Sequence, residues 1–133
     1  MKRLLIIATL IFGLNAISAQ NYISYLTEIS FKASFQHEDI RIEFIEVTSD
    51  SRCPKSVTCV RAGEAKIKVA IYRSDILVEI KELIFEASGL VDHDANLLFS
   101  NADYRILGVS LYPYPETADK IPHDAYTLEI KIN

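Results

Sequence analysis

The segment "EAKIKVAIY", residues 64–72, alternates without a break: Ala65, Ile67, Val69 and Ile71 share one face, and Glu64, Lys66 and Lys68 take the other. Strict period two belongs to a strand with one face buried and the other in water. The same pattern recurs on both sides. "DIRIEF", residues 39–44, sets Ile40, Ile42 and Phe44 on one face, and "TEISFKASF", residues 27–35, does so with Ile29, Phe31, Ala33 and Phe35. The polar "QHED" between them reads as the turn of a hairpin. After Phe44 the apolar phase moves to Ile45 and Val47, the mark of a bulge. The closing "AYTLEIKIN", residues 125–133, turns Tyr126, Leu128, Ile130 and Ile132 inward.

Two further segments are less regular. "ILVEIKELIF", residues 76–85, reads as two short strands rich in Ile, although Ile76, Leu77, Ile80, Leu83 and Ile84 also fit one helical face. "YRILGVSLYPYP", residues 104–115, reads as a strand through Leu107, Val109 and Leu111, closed by Pro113 and Pro115, which cannot donate ladder hydrogen bonds. Gly89 and "VDHDAN" mark a loop between them. About seven short strands with polar outer faces predict an all-β, antiparallel β-sandwich, Ig-like or similar, with a closed barrel as the rival.

The start of the chain is different in kind. "MKRLLIIATLIFGLNAISAQ" opens with Lys2 and Arg3, continues through an apolar run from Leu4 to Leu14, and ends in small residues at Ala16, Ser18 and Ala19. That is the layout of a secretory signal peptide over residues 1–19, with the domain expected over residues 20–133. The apolar run is shorter than the roughly 20 residues of a bilayer span, so no membrane anchor is expected after cleavage, and an exported location (periplasmic or secreted) is. The full chain carries 14 Lys and Arg against 18 Asp and Glu, a net charge of −4. Loss of Lys2 and Arg3 takes this to about −6, a surface that repels phosphate backbones and argues against a nucleic-acid partner.

One stretch does not read as strand: "DSRCPKSVTCVRAGEA", residues 50–65. Cys53 and Cys59 are the only cysteines, and in an exported chain an even count implies a disulfide. Their C-x5-C spacing is neither a redox C-x-x-C nor, without a nearby histidine, a zinc site. Closing a ring of about seven residues is worth roughly 2.4 kcal/mol on the chain-entropy account. Arg52, Lys55 and Arg61 add positive charge to an otherwise acidic domain. Two readings follow: a rigid basic interaction loop offered to an anionic partner, or pairing of Arg52 and Arg61 with Asp50 and Glu64 at the base of the loop. Counting back by twos from Ile67 through Ala65 and Gly63 points Arg61 inward, as a lid on the mouth of the sandwich, unless Gly63 breaks the parity.

This segment resembles one in a group of small exported, largely uncharacterised bacterial β-proteins, which carry D-S-R-C-P, four residues, then C-V-W-A-G before a strand. The likeness covers Asp50 to Glu64 and extends more loosely to "YRILGVSLYPYP" and "AYTLEIKI". It implies a small exported β-domain with a disulfide loop, and no particular reaction. The chain departs from the group at Arg61, where the others usually have tryptophan.

Catalytic and metal constellations are not expected. His37, His93 and His123 are the only histidines, and "DHD" at 92–94 with "HD" at 123–124 would make a metal site only if the two loops met. Ser110 in "LGVSL" lacks the second glycine of a nucleophile elbow. Tyr112 and Tyr114 read as turn residues at the end of the sandwich ahead of a sticky aromatic patch. No cofactor is implied. The expectation is a non-enzymatic binding domain for a protein or carbohydrate partner, with inhibition of a secreted enzyme through Lys55 on the Cys53–Cys59 loop as the alternative.

Overall fold

The computed structural model describes residues 23–133. The expected leader at 1–19 and its cleavage point lie outside them. Eight strands form two antiparallel sheets: β1 (Tyr25–Ser30), β2 (Ser34–His37), β3 (Ile40–Asp50), β4 (Glu64–Arg73), β5 (Ile76–Glu86), β6 (Leu97–Ser100), β7 (Arg105–Tyr112) and β8 (Thr127–Ile132). One sheet has the order β1-β8-β7-β6 and the other β2-β3-β4-β5, so the chain is a β-sandwich. Among the described residues the single helical turn is a short 3-10 segment, His123–Ala125.

The inward faces of β3, β4 and β8 are the ones their alternation names. Ile40, Ile42, Phe44, Ala65, Ile67, Val69, Ile71, Tyr126, Leu128, Ile130 and Ile132 are all buried in one continuous core. The register of β3 on β4 slips between Phe44 and Glu46, where the apolar phase moves, and again between Val47 and Ser49. That second slip matters below, because it sets Asp50 opposite the buried Ala65 and turns its carboxylate toward the core.

Three expectations change. The run 27–35 is not one arm of a hairpin. Only Ser34–His37 pairs with β3, while Tyr25–Ser30 pairs with β8 in the opposite sheet. Lys32 takes a positive φ of 64°, and the amides of Lys32 and Ala33 bond to Phe44 and Ser30, so the chain turns a corner between the sheets. In β7 a slip between Gly108 and Ser110 moves the buried phase, so Ile106 and Leu111 reach the core and Val109 is only half-buried. The segment 76–86 is a single long strand, joined to β4 through Ser74 and Asp75, both at positive φ as a tight two-residue hairpin turn requires. Its first half, Ile76–Ile80, is exposed on both faces.

Candidate functional site

The loop between β3 and β4 leaves the sandwich at the end that β7 and β8 also reach. Asp50, the last residue of β3, points its carboxylate into that end, where burial requires a counter-charge. The counter-charge is Arg52, two residues on. Its Nε donates to Asp50 Oδ1 at 2.9 Å and its Nη2 to Oδ2 at 2.7 Å, a two-pronged pair with side-chain exposures of 4% and 10%. The rest of the guanidinium is used across the sandwich: Nη1 donates to the Leu111 carbonyl and Nη2 to that of Pro113, each at 2.9 Å. Tyr126, at the head of β8, donates its hydroxyl to Asp50 Oδ2 at 2.8 Å.

These contacts tie the loop's base to β7 and β8 of the opposite sheet. Burial alone would raise the Asp50 pKa, but the bonds from Arg52 and Tyr126, with the guanidinium charge, hold it below the ordinary carboxylate value. The Tyr126 phenol moves the other way, raised first by burial and then by its bond to Asp50 and the carboxylate charge.

Above the base, the loop is held on both flanks. Cys53 and Cys59 are joined, with their Cα atoms 5.9 Å apart. The Cys53 amide bonds to the Ala62 carbonyl at 2.7 Å, and the Cys53 carbonyl accepts from the Tyr114 hydroxyl at 2.6 Å. The amides of Lys55 and Ser56 bond to the carbonyls of Pro115 and Glu116, both at 3.1 Å, and Lys55 Nζ meets Glu116 Oε1 at 2.8 Å. Gly63 closes the loop at φ +74°, where a Cβ would overlap the Ser51 carbonyl oxygen.

Arg52, Lys55 and Arg61 are therefore not one basic face. Arg52 is interior, so it is withdrawn from any anionic partner. Lys55 is exposed but neutralised by Glu116. Arg61 is exposed and forms no ion pair among the described residues, and the inward lid is not what forms. The positive φ of Gly63 breaks the parity between Ala65 and Arg61. Glu64 pairs instead with Lys66. What the loop does present is apolar: Val57 and Val60 are 45% and 105% exposed, a feature hidden in the sequence because neither alternates with anything.

Beside the loop lies an open cleft of about 280 Å³, walled by Asp50, Arg52, Pro54, Pro115, Lys120 and His123. A smaller one of about 120 Å³ lies on the other flank of Arg52, toward Tyr112 and Leu90. Tyr114 is half-buried under the loop while Tyr112 is exposed, so the two tyrosines do not make one patch. His93 and His123 are both exposed, and no group of three or more His, Cys, Asp or Glu among the described residues could hold a metal ion. Asp92 instead caps its own loop, accepting from the Asp94 and Ala95 amides, and those bonds lower its pKa.

The disulfide points to a non-cytoplasmic location, and no helix among the described residues is long and apolar enough to cross a membrane. No known protein family matches the chain, and no curated protein or solved structure does so significantly.

Proposed function

We propose that this chain is an exported, non-catalytic interaction domain whose contact surface is the disulfide-capped end of the sandwich. One observation carries this reading: Val57 and Val60 stand exposed on a loop whose backbone is fixed by a disulfide, by the Pro115–Glu116 backbone and by the buried Arg52. Apolar side chains on a preorganised loop lose little conformational freedom on binding, which favours affinity. The acid-rich composition and the neutralised Lys55 favour a partner that reads shape and apolar surface rather than an anion. The resemblance over Asp50–Glu64 to exported bacterial β-proteins and the leader-like first nineteen residues support export.

The test is site-specific photo-crosslinking from position 60 in the extracytoplasmic fraction of the native host. A discrete adduct is expected, suppressed by excess unlabelled protein and lost in Val57→Asp/Val60→Asp. Labelling that unlabelled protein does not compete away, or that survives the double substitution, overturns the reading. Dose-dependent inhibition of a secreted enzyme that Lys55→Ala abolishes would replace it with an inhibitor.

A further inference from the structure

The β5 strand ends its sheet, and part of its outer edge is already closed. Asn96 is fully buried, and its side chain acts as a peptide group: Oδ1 accepts from the Ile84 amide at 3.1 Å and Nδ2 donates to the Ile84 carbonyl at 2.8 Å. Those two bonds show which way the backbone faces. Ile84 turns its N–H and C=O away from β4, and so, by the period of a strand, do Glu82 and Ile80. Among the described residues no other segment bonds to the backbone of Ile80 or Glu82. Beside this open ladder Leu77, Val78 and Ile80 are 49%, 61% and 55% exposed. A long, apolar, unpaired edge is a template for another strand.

The charges on the strand select which strand. We propose that β5 pairs with β5 of a second copy, antiparallel over residues 79–81 about a two-fold axis at Ile80, short of Val78, which the register slip between Ile71 and Tyr72 leaves without a partner on β4, joining two sheets into one of eight strands. An antiparallel ladder must set edge-facing residues opposite edge-facing residues or inward groups opposite inward groups. With the axis at Ile80, Glu79 lies opposite Lys81 of the second copy, and the symmetry repeats the attraction. An axis at Glu79 sets Glu79 against itself, and one at Lys81 sets Lys81 against itself. An axis at Glu82 does the same for Glu82 and also drives Ile80 onto the Ile84 groups that Asn96 occupies. An axis at Val78 loses the Glu79–Lys81 pairs and runs the ladder into the Ser74–Asp75 turn. Only Ile80 satisfies both the backbone and the charges.

Lys81 is suited to this. Its Nζ donates to the Leu97 carbonyl at 2.6 Å, which fixes the side chain and leaves two N–H donors for a carboxylate. The axis lies toward the β4–β5 turn, away from the disulfide loop, so this inference does not depend on the function proposed for that loop.

The experiment is sedimentation of the oxidised protein up to about 0.5 mM, the range in which weak self-association is read, with hydrogen exchange at two concentrations. The wild type is expected to form a reversible dimer, and the Ile80 amide to exchange more slowly at the higher concentration. Glu79→Lys and Lys81→Glu should each weaken the dimer about tenfold, since two cross-strand pairs turn from attractive to repulsive. Combining them restores opposite charges and should bring the constant back to within about threefold. Should Lys81→Glu unfold through loss of its bond to Leu97, Ile80→Lys, at an exposed position on the axis, supplies the second disrupting variant. A wild type monomeric throughout, a dimer indifferent to Glu79→Lys and Ile80→Lys, or a folded double variant no tighter than the single ones overturns the proposal.

Discussion

The Tyr126 hydroxyl meets the Asp50 carboxylate at 2.8 Å across a sequence separation of 76, joining the head of β8 to the end of β3. The two groups respond to pH in opposite senses. Asp50, with a lowered pKa, contributes stability that is present above the ordinary carboxylate value near 4 and is lost as pH falls through its folded value. Tyr126, with a raised pKa, contributes stability that is full below the ordinary phenol value near 10 and is lost as pH rises through its folded value. Tyr126→Phe should cost about 1.5–3 kcal/mol at neutral pH, as for a bond to a charged acceptor, and should flatten the alkaline arm. Urea unfolding of both proteins from pH 3 to 11 checks this; parallel profiles would show that the contact is thermodynamically silent.

Arg52 and Arg61 should separate cleanly. Arg52→Ala strands a buried carboxylate and two cross-sheet carbonyls, for an expected loss of about 3–5 kcal/mol. Arg52→Lys should recover little of it, because an ammonium cannot span both carboxylate oxygens and two carbonyls together. Arg61→Asp, at an exposed position, should stay within about 0.5 kcal/mol. Melting curves decide, and a costly Arg61→Asp would bring back the inward lid.

Gly63→Ala should be among the most damaging single-methyl additions in the chain. The new Cβ overlaps backbone, which cannot rotate away, and the positive φ adds strain. A loss above about 2 kcal/mol is expected, with loosened protection of the Cys53 and Ser51 amides in hydrogen exchange. Unchanged stability would mean that the loop closes by another path.

Asn96→Asp keeps an acceptor for the Ile84 amide but loses the donor to its carbonyl, and it places a charge in a buried position. Asn96→Ala loses both bonds and leaves a cavity. Both should cost about 2–4 kcal/mol, with Asp recovering as pH falls and the carboxyl becomes a donor. Denaturation at pH 4 and pH 7 tests the recovery, which Ala should not show.

Much of this architecture was legible because β4, β8 and β3 as far as Phe44 alternate strictly, and their faces follow from period two alone. The parts that were not legible are those where one residue changes the parity. Lys32 and its positive φ divide a run of perfect alternation between two sheets. The slip at Gly108 exchanges Val109 for Ile106, and Gly63 turns Arg61 outward. The pairing of Arg52 with Asp50 could be read as a bond at the base of the loop, yet not its depth, which depends on a second bulge at Val47–Ser49 that no apolar phase announces. The exposed valines were invisible for the opposite reason: in an irregular segment, sequence gives no face to assign. Asn96 gave no signal because an asparagine that imitates a peptide resembles any loop residue.

The ring closed by Cys53 and Cys59 has a consequence for how long the protein lasts among proteases. Lys55 lies inside the ring, and its amide is held against Pro115, so a trypsin-like enzyme can engage it only after that flank opens. Such openings belong to the low-stability fluctuations of a fold only when few bonds oppose them, and here the flank is coupled through Arg52 to the opposite sheet. If the Lys55–Ser56 bond is nonetheless cut, no fragment leaves. The disulfide spans the nick, the new ends stay within the same loop, and the sandwich keeps every strand it had.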